Sequence, residues 1–361
     1  MFAGEKMRSM KEINKILEYI NSFHEKINLM EVCGTHTNAI SKFGIRSALN
    51  KNINLISGPG CPVCVTPDLY LDYIYDLSLK EDVIIATYGD MIRVPGSLPN
   101  LTLENAKAKG ANIKMVYSSM DAVNIAEENP LKKVVFLGIG FETTAPATAV
   151  AVKEAKAKGL KNFFVFSIHK LVEPVMRLLL EDESLKINGF ICPGHVAVVV
   201  GEKGFEFLEE YNCPSAIAGF EMDEVIDGIF YIIKSLKEKD YKIKNPYSKL
   251  VKPEGNLAAL TLISNTFIKV DDPWRGIGTV SKSGLKLNDE YKEFDIEKLY
   301  PITVKNTNRN NGCQCGEILK GKLRPNECPL FGKVCTPENP IGPCMVSGEG
   351  SCSAYYKYST F

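Results

Sequence analysis

The sequence predicts an α/β fold class built as two similar Rossmann-like lobes with mainly parallel sheets, followed by a cysteine-rich region of different character. Three observations carry this. Short β-rich runs alternate with helical stretches from about residue 50 to 240, which implies parallel sheets with helices on both faces. VIIATYGDMIRVP (83–95) and VVFLGIGFETTAP (134–146) both run from an apolar strand through a glycine to a proline, which hints at duplication, with chance similarity of βα units as the alternative. Beyond residue 306 the chain is dense in Gly, Pro and Cys and loses periodicity.

The strands are expected at 53–57, 83–87, 113–118, 134–138, 163–167, 189–192 and 216–219. Helical patterns lie between them, among them 101–109, 147–158 and 171–180. Ile13, Ile16, Leu17 and Ile20 recur at helical spacing and mark an amphipathic first helix. The expected division is 33–130 for the first lobe, 131–240 for the second, and 1–32 with 241–361 for a third domain.

The 361 residues are 45% hydrophobic and 24% charged, an ordinary globular composition able to bury a core. Basic and acidic residues balance at 43 each with no basic block, which argues against nucleic acid as a partner. No apolar run reaches the length of a membrane span, and the first residues lack the apolar core of a signal peptide. A cytoplasmic protein with no membrane partner is therefore expected.

Eleven cysteines in such a chain point to ligands or redox groups more than to a disulfide framework. Six crowd the tail: Cys313, Cys315, Cys328, Cys335, Cys344 and Cys352. A segment so poor in apolar residues cannot order itself cheaply, and a metal is the natural staple. A [4Fe-4S] cluster takes four thiolates, and turns rich in Pro and Gly aim N–H groups at its sulfurs. A structural four-cysteine zinc site and plain packing cysteines compete with it. Spacing alone does not choose four ligands from six.

A second group stands near the N-terminus, in EVCGTHT (31–37) and GPGCPVCVTP (58–67). Cys61 and Cys64 form a C-x-x-C after a strand, a placement typical of a redox dithiol, and a helix start after Cys64 would lower a thiol pKa. With Cys33 they make an open thiolate set suited to iron, against the plainer reading of a turn C-x-x-C and a buried Cys33. His36 is open between a hydrogen-bonded turn histidine and a metal or proton-transfer role. Glu142, in GFETTAP, reads as a helix cap or a weak nucleotide element. His195, beside Cys192 in CPGHV, reads as a turn histidine. Cys213 reads as core, and Trp274 with Arg275 as an exposed loop without a role.

Together, EVCGTHT, GPGCPVCVTP, GFETTAP, CPGHV and the tail ECPLFGKVCTPENPIGPCMVSGEGSCSAYY make the chain resemble the [NiFe]-hydrogenase maturation factor HypD family over nearly its whole length. The resemblance implies two α/β lobes and a third region with a [4Fe-4S] cluster. It implies a small HypC-type chaperone as partner, a HypE-type cyanide donor, and a scaffold for the Fe(CN)2CO group rather than a conventional turnover enzyme. Cys33, Cys61 and Cys64 match the family's essential cysteines, with His36 in the same motif as Cys33. The family's tail spacing is met by Cys313, Cys328, Cys335 and Cys352, which leaves Cys315 and Cys344 as spare thiols. The rival readings are a stand-alone Fe–S thiol–disulfide oxidoreductase and a zinc-stapled binding module.

Overall fold

A computed structural model describes residues 8–303 and 312–358. Its strands, in chain order, are β1 (Ile27–Glu31), β2 (Ile53–Ser57), β3 (Val83–Thr87), β4 (Asn112–Met115), β5 (Lys133–Gly138), β6 (Phe163–Ser167), β7 (Gly189–Pro193), β8 (Ser215–Ala218), β9 (Phe267–Trp274) and β10 (Gly278–Leu287). They form two four-stranded parallel sheets, ordered β2-β1-β7-β8 and β4-β3-β5-β6, and an antiparallel hairpin of β9 and β10. The α/β class and the two similar lobes are thus present, since both sheets share one winding order.

The chain distributes these lobes differently from the expected division. β3 lies before residue 130 yet pairs with β4 on one side and β5 on the other. The second sheet, 83–167, is therefore inserted whole between β2 and β7 of the first. The two motifs compared as halves of a duplication follow neighbouring strands of one sheet. β1, expected in a third domain, is a central strand of the first sheet. The reason is physical: a buried parallel strand reads as an apolar run whichever neighbour it pairs with.

Burial on both faces explains the runs. Val134 and Phe136 of β5 face one core, while Val135 and Leu137 face another. The latter core continues into Met30, Ile56 and Phe190 of the first sheet, so one apolar cluster joins the lobes. The first helix, Met10–Asn21, starts at a Ser9–Glu12 capping box and packs on Met222–Glu238, covering the outer face of the first sheet. The apolar stretch after residue 256 divides into a helix, Leu257–Thr266, and the hairpin, which docks beside β6 through Leu171 N to Ser283 O (2.8 Å) and Leu285 N to His169 O (3.2 Å).

His169 is fully buried, with Nε2 at 3.2 Å from Thr148 Oγ1 and Nδ1 at 3.1 Å from Ser167 Oγ. Burial, helped by the charge of Lys286, lowers its pKa from 6.5 to about 3. A histidine whose folded pKa lies below the unfolded one contributes stability that is present above about pH 6.5 and lost as pH falls toward 3. Between pH 7.5 and 5, His169 should remove about 2 kcal/mol of stability. Urea unfolding at both pH values checks this, and His169→Gln should remove that share of the acid slope.

Candidate metal and thiol site

Parallel sheets place their sites beyond the carboxyl ends of the strands, where the winding reverses. In the first sheet this point lies between β1 and β7. Chain leaving β1 passes Val32 to extended Cys33, which precedes the helix Gly34–Lys42. Chain leaving β2 passes Gly58–Pro59–Gly60 to Cys61, which precedes the one-turn helix Pro62–Val65. The two loops touch through Gly34 N to Gly60 O (3.1 Å) and Gly58 N to Glu31 O (2.7 Å). A Cβ on Gly60 would lie 2.2 Å from Cys33 N, so only glycine permits this approach.

The structure therefore brings Cys33 and Cys61 side by side. Cys61 and Cys64 are buried and joined by a disulfide, and Cys61 Sγ accepts from Cys64 N at 3.2 Å. The helix starts directly after Cys61 and contains Cys64, which corrects the expected start after Cys64: Pro62, with its fixed φ, is suited to the first helical position. Cys33 is half-buried and outside the disulfide. Burial, reinforced by the nearby Glu349 charge, pushes its thiol up to about 12 against the amides of His36 and Thr35. A cation bound there would reverse that balance by favouring the thiolate.

His36 is fully buried, and its Nε2 lies 2.8 Å from Gly219 O, just past β8. Burial lowers its pKa to about 4. Its Nδ1 has no hydrogen-bond partner among the described residues. The ring packs on Phe220 (centroids 4.6 Å apart), which also meets the exposed His195 at 3.9 Å. CGTHT and CPGHV thus share one aromatic stack, while Cys192 and Cys213 are buried.

Sequence reasoning misses Glu31. It is fully buried, accepts from Thr37 Oγ1 at 2.5 Å and Cys33 N at 3.2 Å, and is raised to about 7 by burial. A carboxylate inside a buried strand, just before a cysteine motif, is the signal that could have found it. Glu349 is missed too: a Cβ on Gly34 would lie 2.3 Å from Glu349 Cβ, and Asn38 Nδ2 donates to Gly348 O at 3.1 Å. The tail is thereby seated on the Cys33 helix.

All six tail cysteines line one cavity with Ile318, Leu330, Phe331 and Met345. Among the described residues, no three His, Cys, Asp or Glu converge on a single-ion site. Ile341 N donates to Cys335 Sγ at 3.4 Å. A soft, all-thiol donor set with apolar walls and a backbone N–H on a sulfur fits a [4Fe-4S] cluster. Within this cavity Cys315 Sγ and Cys344 Sγ lie 2.7 Å apart.

The turn Pro343–Val346, carrying Cys344, packs on Pro62–Val65, carrying Cys64. Between the two groups sits Arg275. Its N donates to Val65 O (2.8 Å), its Nε to Thr66 O (2.9 Å), and its Nη2 lies 2.5 Å from Asp68 Oδ1. Gly276 presses against Gly316, and contact with one another together with burial holds the thiols of Cys313, Cys315 and Cys344 above the ordinary range, with the Arg275 charge as the smallest opposing influence. Trp274 is buried and donates from Nε1 to Ser283 Oγ at 2.8 Å. DPWRG is therefore a clamp, and the exposed loop expected of it is corrected.

Glu142 caps a helix, though not its own: Oε1 accepts from Val172 N at 2.9 Å, at the start of Val172–Glu181.

Known proteins share this arrangement of sequence. A family model named HypD, described as "Hydrogenase formation hypA family", matches residues 7–359. Hydrogenase maturation factor HypD2 of Bradyrhizobium diazoefficiens is 44% identical over 340 residues, covering 92% of this chain and 89% of its own. A putative hydrogenase expression/formation protein of Methanocaldococcus jannaschii is 42% identical over 352 residues, covering 97% and 96%. Hydrogenase maturation factor HypD of Escherichia coli is 38% identical over 364 residues, covering 98% and 97%. With the family model spanning nearly every residue, the chain belongs to the HypD family of hydrogenase maturation factors.

Proposed function

We propose that this maturation factor is a scaffold on which an iron centre is assembled, with Cys33, Cys61 and Cys64 as the thiolates that receive the iron. The observation that carries the reading is the meeting of two cysteine groups more than 200 residues apart, with the Cys315–Cys344 sulfur contact beside the turn that packs on Pro62–Val65.

Cys61 and Cys64 are tied to each other as a disulfide and must be reduced before both can bind iron. That takes two electrons and two protons. The thiols of Cys315 and Cys344 can supply both by exchange: a Cys315–Cys344 disulfide forms and the Cys61 and Cys64 thiols are released. Arg275 braces the Pro62–Val65 side of this contact through Val65 O and Thr66 O. Cys313, Cys328, Cys335 and Cys352 would hold a [4Fe-4S] cluster, which stores and releases single electrons next to this pair. Cys33, next to Cys61 and outside the disulfide, is poised to take iron first. Iron arrives as substrate, together with cyanide and CO. A HypC-type chaperone and a HypE-type cyanide donor are the proposed partners and the cytoplasm the proposed compartment. Among the described residues no helix is long and apolar enough to cross a membrane.

Anaerobic preparation should yield iron and acid-labile sulfide in equal amounts, both lost in Cys328→Ser. Infrared spectra of the complex with the small chaperone should show CN and CO stretches that Cys33→Ala abolishes. Zinc in place of iron would sink the cluster. A cluster with thiol–disulfide turnover but no CN or CO bands would favour the stand-alone oxidoreductase.

A further inference from the structure

A second cavity, with no cysteine in its lining, is walled by residues that follow strands of both sheets. The helices Val172–Glu181, Gly194–Val200 and Leu257–Thr266 enclose a cavity of ≈ 130 Å³. Its walls are Leu171, Val196, Val200, Phe205, Leu260 and Ile263. Of the two acids on its lining, Glu142 is the buried one, only 6% exposed. Its Oε1 is used by Val172 N, but its buried Oε2 has no hydrogen-bond partner among the described residues. Glu173 and Lys269 stand on the same lining, with opposite charges.

A buried carboxylate oxygen without a donor is costly, by more than a neutral group in the same place. In the absence of a ligand, burial raises this carboxyl to about 7, so it shares a proton near neutrality. The apolar walls reject an anion or a strongly hydrated ion, and the volume suits a group of only a few carbons. What satisfies the walls and the oxygen together is a positive N–H donor on a short branched hydrocarbon.

We propose that this cavity binds a protonated primary amine bearing a small branched apolar group, with the Glu142 carboxylate as its counter-charge. Val172 N holds the first carboxylate oxygen and aims the second at the ammonium. Two sources carry this chemistry: a free small amine, and the first residue of a polypeptide chain. The assignment is independent of the iron-assembly reading.

Ligand-observed NMR on the full chain at pH 8 tests it, with isobutylamine, the neutral isostere isobutanol and the tripeptide Leu-Gly-Gly as probes. Isobutylamine should bind, and Glu142→Gln should weaken it by at least about tenfold, because a charge-assisted bond is replaced by a neutral one. Val200→Phe fills the cavity without touching the acid and should abolish binding. Circular dichroism of each variant separates these results from misfolding. Tripeptide binding as tight as the amine assigns the site to a chain terminus, and amine binding alone assigns it to a free metabolite. No saturation transfer to isobutylamine, equal binding of isobutanol, or an unchanged Glu142→Gln overturns the proposal.

Discussion

Cells carrying Cys61→Ala should make a folded protein and almost no mature hydrogenase. The Cys61–Cys64 disulfide closes a loop only three residues apart in sequence, so its loss changes chain entropy little. Cys61 is buried, and truncation to alanine removes a single sulfur from the core. Stability should therefore fall by only about 1 kcal/mol. If Cys61 receives iron as proposed, hydrogenase activity should fall by more than about 100-fold, since removing a mere supporting contact already costs about 10–100-fold in metal affinity. Cys64→Ala and Cys33→Ala should match it. Hydrogenase activity in extracts, beside thermal melts of the purified variants, makes the comparison. Wild-type activity in Cys61→Ala would remove this residue from the iron site.

Asp272→Ala should cost about 3–5 kcal/mol of folding stability, because it strands a buried charge. Lys170 and Asp272 form an ion pair whose side chains are 1% and 3% exposed. Lys170 Nζ also donates to Pro273 O at 2.8 Å, and Tyr70 OH donates to Asp272 Oδ1 at 2.5 Å. The ammonium lies 5.5 Å from the Tyr70 ring centre and 5.7 Å from that of Trp274. This network ties the end of β6 and the helix Asp68–Ser78 to the hairpin that carries Arg275. Burial lowers Lys170 to about 8 while Asp272 holds it up. Without Asp272 the lysine must shed its proton or the hairpin must lift. Replacing both, as Lys170→Met with Asp272→Leu, should cost less than the single change. Urea unfolding followed by Trp274 fluorescence reports on this network directly, since the chain has one tryptophan. A single variant within about 1 kcal/mol of wild type would show that the pair is dispensable.

Much of the first lobe's site is legible in the sequence. Cys33, Cys61 and Cys64 sit in short glycine-bearing motifs, and a glycine before a cysteine announces a close approach, which Gly60 makes against Cys33. The strands at 53–57, 83–87 and 163–167 stand as predicted, three more lie within one residue and β4 ends three residues early, because continuous apolar runs bounded by turns are a local signal. β1 escapes such a reading since INLME breaks its apolar run with Asn28 and ends in Glu31, and the hairpin escapes because alternating polar residues in β9 and β10 resemble loop. Sequence leaves His36 open between roles, and the structure commits its Nε2 to Gly219 O.

The sequence by itself determined that this is an α/β chain with two cysteine groups, and which residues make them up. Tertiary structure alone decided that one lobe is inserted in the other. It also decided that Cys315 meets Cys344, and that Arg275 stands between the groups. The reason is common to all three. Strand periodicity and motif spacing act over a few residues, whereas pairing between parallel strands and contact between turns depend on which surfaces remain to be covered once the chain has folded back.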